Sequence, residues 1–332
     1  MTVSGGLRIS ATLLVIAASL GLPLSGACAA QPEACAIRHY SVVALPLKPA
    51  AVNEKGEIAG TTPEHRAATW SAGTGLREIP LPPGFSHSEA SSIDARGAVV
   101  GIAYDPGYTT RRGFLFAGGS FTWLQGRESR GNHISASGAI AGESIPPGTP
   151  CSGPALWTGN KVRALDGCRG AAVSSNADGQ VIGDAYDDEG RYHAFLWTAR
   201  DGMQRIGPDA PFSSALAIND LGHVLIQAYP SVFLYADGSS TRLRLSPRHP
   251  SQPRAINDCD VVVGSFGPNS DASRAFVWDE KSGFRDLNSL LTGNTSGWKL
   301  VAAFDINNLG EIVGKGEQGK LNDAGFLLRP VE

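Results

Sequence analysis

Seven histidines and a scatter of carboxylates are the groups in this 332-residue chain best suited to bond-making chemistry, and their spacing argues against it. His39, His65, His87, His133, His193, His223 and His249 include no pair at zinc-ligand spacing. There is no His-Glu-x-x-His segment, no Gly-x-Ser-x-Gly nucleophile turn and no phosphate-binding loop. The sequence therefore names no catalytic residue, no metal ligand and no cofactor, although loops far apart in sequence can still assemble a site. The densest polar groups fall in two stretches. One is Tyr104-Asp-Pro-Gly-Tyr108 with Arg111 and Arg112; the other holds Asp184, Tyr186, Asp187, Asp188, Glu189 and Tyr192. Tyr and Arg anchor many binding surfaces, so Tyr104, Tyr108, Arg111, Arg112, Tyr186, Asp187, Asp188 and Tyr192 are the ligand-binding candidates. The plain alternative for any one of them is a solvated loop with no partner. The aspartate spacing of the second stretch matches no EF-hand loop.

What positions these loops is an internal repeat. Ala51-Val-Asn-Glu-Lys-Gly-Glu-Ile-Ala-Gly60 returns six times in altered form, for example as Ser92-Ile-Asp-Ala-Arg-Gly-Ala-Val-Val-Gly101 and Asp305-Ile-Asn-Asn-Leu-Gly-Glu-Ile-Val-Gly314. Aligned on Gly56, Gly97, Gly138, Gly179, Gly222, Asp260 and Gly310, the copies stand 41, 41, 41, 43, 38 and 50 residues apart. A period near 40 with several short β-like runs predicts propeller blades rather than helix-pair solenoids. The 41 Gly and 21 Pro leave no long amphipathic helix pattern downstream of residue 30.

Four strands fit each period. A small apolar strand ends at the Asn, and a second follows the Gly. The third is the most hydrophobic, as in Gly113-Phe-Leu-Phe116 and Ala194-Phe-Leu-Trp197; the fourth alternates apolar and charged residues, as in Phe284-Arg-Asp-Leu287. That order suits a blade running from a crowded channel to solvent, and a charged outer strand resists edge-to-edge pairing. The last copy stops after its third strand at Gly325-Phe-Leu-Leu-Arg-Pro330, while Tyr40-Ser-Val-Val-Ala-Leu45 stands alone before the first. An all-β, seven-bladed propeller is expected, its ring closed by the N-terminal strand completing the last blade. The Asn-x-x-Gly element reads as a turn: Asn53, Asp94, Ser135, Asn176, Asn219, Asn257 and Asn307 suit the first position of a type I turn, and Gly suits the fourth. Asp260, the exception, is a residue type that tolerates a left-handed backbone.

The apolar run from Ala11 to Leu24, preceded by Arg8 and followed by Ser25-Gly-Ala-Cys-Ala-Ala30, reads as a signal peptide over residues 1–30. Cys28 makes a poor lipoprotein box, so a free mature chain is expected over a lipid-anchored one. No other stretch approaches the roughly 18 apolar residues of a spanning helix. Residues 31–332 would then be one propeller, exported to the periplasm or beyond. A net charge of −3 without a basic stripe argues against nucleic acid.

Four cysteines follow the signal: Cys35, Cys151, Cys168 and Cys259. A two-residue loop at Gly159-Asn160 makes cross-strand partners sum to 319, which pairs Cys151 with Cys168 within disulfide range. Pro154 interrupts that hairpin, since it cannot donate a ladder hydrogen bond. Cys35 and Cys259 fall on the same face of adjacent blades; a bridge there would tether the closing strand, and the alternative is two free or locally packed thiols.

The cycle of Ala-Ile-Asn-x-x-Gly-x-Val-x-Gly followed by His193-Ala-Phe-Leu-Trp197 resembles the HAF-repeat family of bacterial exported proteins. The likeness runs from about Tyr40 to Pro330. It implies a secreted or surface-associated propeller and supplies no activity or catalytic residues; only the fourth repeat keeps the full His-Ala-Phe, with Arg274-Ala-Phe keeping two residues of it.

Two functions remain. The first is a monomeric, non-catalytic binding or scaffolding propeller that recognises a protein or glycan at the cell envelope. The second is a propeller hydrolase or lyase acting on an extracellular polymer. Buried carboxylates or a histidine converging at the channel mouth would mark the enzyme; exposed Tyr and Arg on a shallow face would mark the binder.

Overall fold

The computed structural model describes Met1 and residues 36–165, 169–187, 189–246, 248–293, 295 and 297–331. The expected signal peptide, Cys28, Cys35, Cys168 and Asp188 lie outside the described residues. The rest forms seven four-stranded antiparallel sheets arranged as a ring, a seven-bladed β-propeller. Six blades use strands consecutive in sequence, at 48–78, 87–123, 127–164, 170–205, 214–242 and 251–286. The seventh takes Trp298–Ile306, Ile312–Gln318 and Leu321–Val331 and adds His39–Leu45 as its outer strand, in the order expected from the orphan run. Pairing is continuous from His39↔Val331 to Leu45↔Gly325. Tyr40 is buried in the last blade, and its carbonyl accepts from Thr292 N at 2.9 Å, so the closing strand is held from two sides.

Hydrophobic burial lies between blades, where neighbouring sheets pack face to face. Ala51, Ala59 and Ile79 of the first blade meet Val99, Ala103 and Phe114 of the second, and the other junctions repeat the pattern. The hairpins joining the first two strands of every blade lie on one face of the ring, the turn face. The connections between second and third strands, and from blade to blade, lie on the opposite loop face. The Asn-x-x-Gly segments are turns in all seven blades: the fourth residue donates its N–H to the carbonyl of the first, from Gly56→Asn53 at 3.0 Å to Gly310→Asn307 at 3.0 Å. Asp260 holds its left-handed position at φ 56°.

The turn side chain also reaches outward. Asn53 Nδ2 donates to the carbonyl of Asp94 in the next blade at 2.9 Å; Asn176, Asn219, Asn257 and Asn307 do likewise to Asn219, Asn257, Asn307 and Asn53. Its Oδ1 meanwhile accepts from N–H groups of its own turn, as from Cys259 and Val261 at Asn257. Asp94 and Ser135 carry no amide to donate, and the second–third and third–fourth junctions are fastened one level deeper. There Ile134 N donates to Ser92 Oγ, Ser175 N donates to His133 Nδ1, and Asn132 Nδ2 donates to the Ala172 carbonyl.

Every innermost strand carries a β-bulge at the same place. Register shifts fall at Pro49/Ala51, Ala90/Ser92, Gly131/His133, Ala172/Ser174, Ala215/Ala217, Pro253/Ala255 and Ala303/Asp305. A bulge leaves one residue unpaired and re-aims its side chain. The last glycine of the repeat follows from this. Gly264 lies opposite Pro253, and a Cβ there would strike the Gln252 carbonyl while the Phe276 ring closes over it at 2.9 Å. Gly60, Gly101, Gly142, Gly183 and Gly314 are equally hemmed in by a strand carbonyl; the fifth blade has Ile226 instead.

Candidate functional site

On the loop face of the second blade, the segment after Tyr104 is fixed by Asp105, whose carboxylate accepts from Thr109 N at 2.7 Å, Thr109 Oγ1 at 2.6 Å and Thr110 N at 3.0 Å. These bonds hold Asp105 below the usual carboxylate range, the Thr109 hydroxyl contributing most. Tyr108 sits at the tip, 58% exposed and at φ 55°. Its ring stacks on His87 at 4.8 Å and lies 5.4 Å from Tyr104, and His65 of the first blade meets His87 edge-on at 6.0 Å. Tyr104 and Tyr108 are thus brought together, with two histidines that the sequence reading did not connect to them. Arg111 flanks the cluster, 3.5 Å from Glu128, whereas Arg112 turns away and lies over the Trp123 ring at 4.7 Å.

The fourth blade repeats the theme. Tyr186 and Tyr192 are tilted against each other at 4.9 Å, with the Arg169 guanidinium 5.2 Å over Tyr186. Asp187 is occupied within its own turn: it accepts from Arg191 N at 2.8 Å and Arg191 Nε at 2.9 Å, and lies 3.1 Å from buried His193. The histidine of His-Ala-Phe therefore stands beneath the loop it follows. Tyr192 Oη donates to Asp184 at 3.3 Å, and Ala215 N of the fifth blade donates to the same carboxylate at 2.8 Å. Burial pushes the Asp184 carboxyl up to about 6. The third blade separates the two tyrosine clusters.

The channel is the other concave feature, with a cavity of about 320 Å³ against the turn face. Its wall is a ring of the seven bulged residues, Ala50, Ser91, Asn132, Val173, Leu216, Arg254 and Phe304. None of the seven is buried, whereas the residue preceding each one is buried in every blade. This ring was not singled out from the sequence. The available signal was variation, since the position three before each turn Asn changes character from copy to copy.

Carboxylates do converge at the turn-face mouth, but each is spoken for. Asp220 accepts from Ala177 N, Asp258 from Asp220 N and Glu54 from Asn308 N, all across blade junctions. Burial, reinforced by neighbouring carboxylates, raises Glu54 and Asp220 above their ordinary values. Deeper in, Asp305 accepts from Val52 N of the first blade at 2.9 Å, and burial raises its carboxyl to about 7. Burial also lowers His133 to about 4, so its Nδ1 is free to accept from Ser175 N. The arrangement laces neighbouring blades together.

Cys151 and Cys259 are half-buried and neither stands free. The hairpin pairs Thr158↔Lys161 through Ala155↔Ala164, the register that sums to 319, and regular pairing ends before Pro154. No group of three or more His, Cys, Asp or Glu among the described residues is placed to hold a metal ion.

No protein-family model matches the sequence, and no curated protein matches it. Solved structures match the fold. The β-propeller domain of the Trilobed protease from Pyrococcus furiosus, which has an open velcro topology, is 8% identical over 88% of this chain and 94% of its own, with a TM-score of 0.61. Virginiamycin B lyase from Staphylococcus aureus is 11% identical over 88% of this chain and all of its own, at 0.57. YCF48 bound to D1 peptide is 12% identical over 89% and 96%, at 0.54. At these identities the likeness is one of architecture, and it makes this chain a seven-bladed β-propeller alongside binding proteins and enzymes alike.

Proposed function

We propose that this protein is an exported, non-catalytic binding propeller whose loop face recognises a protein segment or glycan at the cell envelope. The observation that carries the reading is the exposed aromatic platform of Tyr108, His87 and Tyr104, held by a loop whose Asp105 carboxylate is saturated by its own turn. A rigid aromatic at an exposed tip presents contact area at little conformational cost on binding. One similar propeller is bound to a peptide, which makes a polypeptide the first ligand to test. Export rests on the signal-like N-terminus and on the resemblance to HAF-repeat proteins. In that compartment we expect Cys151–Cys168 and Cys35–Cys259 bridges; Ile37 packs in the same cluster as Cys259, two residues from the cysteine that would reach it.

The test is affinity capture from envelope extract with the mature protein and its Tyr108→Ala variant, beside a glycan array. Capture of a defined partner that falls at least tenfold with Tyr108→Ala, at an unchanged melting temperature, supports the reading. The hydrolase or lyase alternative draws on Asp184, the raised carboxyl beside Tyr192. Polymer turnover that Asp184→Asn abolishes would replace the binding reading with that one.

A further inference from the structure

The ring of bulged residues is uneven around its circumference. Ala50, Ser91 and Asn132 form a small, polar arc; Val173, Leu216 and Phe304 form an apolar one, and Arg254 stands between Leu216 and Phe304. Arg254 is the one charged member of the ring. It is exposed to the channel, and among the described residues nothing hydrogen-bonds or ion-pairs with its guanidinium. The other cations near the channel are committed, Lys315 to Asp323 at 2.6 Å and Arg96 to Asp94 at 3.1 Å. Ser175, 2% exposed, lines the same cavity, and its Oγ also lacks a hydrogen-bond partner.

Arg254 and Phe304 face two spaces at once, the channel cavity and a recess of about 440 Å³ on the loop face bordered by Tyr229 and Phe266. Both volumes fall in the range of small-molecule sites, about 300–1,000 Å³. The two ends differ in charge: Glu54, Asp220 and Asp258 rim the turn-face mouth and repel anions, whereas the loop-face recess carries Arg254. This polarity favours an anion that approaches from the loop face over one that approaches from the turn face.

We propose that the channel is a second binding site, independent of the loop-face platform, that takes the carboxylate of an apolar organic acid. Arg254 receives the carboxylate through its planar pair of N–H donors. Phe304, Leu216 and Val173 cover the apolar body, and the small polar arc leaves room opposite. Such a carboxylate is carried equally by a free acid and by the C-terminal residue of a peptide.

The two sources are separable in one titration set. N-acetylphenylalanine is titrated into the mature protein by calorimetry, against N-acetylphenylalaninamide, and a pentapeptide ending in Phe is used with a free and an amidated C-terminus. The acid is expected to bind at least tenfold more tightly than the amide. Arg254→Gln should remove that preference, and Phe304→Ala should weaken both by about tenfold. Arg254 is exposed in the channel, so an unchanged melting temperature confirms that its variant is folded. Tighter binding by the free-ended peptide than by the short acid assigns the site to chain ends; the reverse assigns it to free acids. Tyr108→Ala should leave all four affinities unchanged, which separates this site from the loop-face reading. Equal binding of acid and amide, retention of the preference by Arg254→Gln, or no binding of either acid overturns the proposal.

Discussion

Single groups set between the blades give this ring its pH response, and they act in opposite directions. Asp305 binds a proton more readily folded than unfolded, because burial raises its carboxyl to about 7. A carboxyl raised on folding adds stability as pH falls from that value toward its ordinary range. Asp184, raised to about 6, acts in the same sense. His133, lowered to about 4, acts in the other: its neutral ring accepts a backbone N–H, and stability is lost as pH falls from about 6.5 to 4. The two tendencies offset each other in the intact chain. Asp305→Asn keeps an acceptor for Val52 N and removes one of them. The variant should melt a few degrees above the parent at pH 8, and its melting temperature should fall more steeply than the parent's between pH 7 and pH 5. Melting curves across that range check it; parallel profiles would show that Asp305 is ionised without penalty.

At the level of the strand and turn, the repeat motif turns out to do two jobs where its sequence advertises one. The preference for Asn at the start of a tight turn is legible because its partners lie two and four residues away. The donation from the same amide to the next blade is not, because that acceptor lies 38 to 50 residues further on, or for Asn307 254 residues back, and only the packing of blades into a ring brings it near. Asn257→Ala would strip the turn of its Oδ1 acceptor, leaving Cys259 N and buried Val261 N without it, and would remove one of the two donors to the Asn307 carbonyl, at a cost of about 2 kcal/mol. Ser135→Ala, at the equivalent place in the third blade, loses only Oγ bonds to Ser137 and the Ala139 carbonyl and should cost less than about 1 kcal/mol. Urea unfolding of the two variants side by side measures the difference. Similar limits apply to the binding candidates. Tyr104 and Tyr108 could be named from type alone, but not His87, which stacks on Tyr108 from another strand, nor His65, which meets His87 from a turn of the first blade. The channel ring escaped because a bulge depends on pairing across strands, which the sequence of one strand does not display.

For the molecule as a whole, closure is the step on which the other contacts depend. Architecture was readable from the period, and so was the closing strand, since one unpaired run at the start matched one missing run at the end. Tyr40, 2% exposed among Leu287, Leu300 and Phe326, is the largest buried side chain on that strand. Tyr40→Ala should destabilise the protein by about 3–5 kcal/mol, as large-to-small changes at buried aromatics do. Hydrogen exchange should then show His39–Leu45 and Leu321–Val331 losing protection ahead of the other blades. Uniform loss of protection around the ring would mean that closure is not the weak point.

The bulges have a consequence for how such a protein can change over generations. In each blade the residue that builds the junction and the residue that faces the channel are neighbours in sequence, yet only the first is buried. A codon change at positions 50, 91, 173, 216, 254 or 304 therefore alters what the lumen presents while the interlocking surfaces are kept; Asn132, whose amide reaches the Ala172 carbonyl, is the exception. Six separately adjustable settings on one inherited frame would let descendants exchange ligands without first learning to fold again.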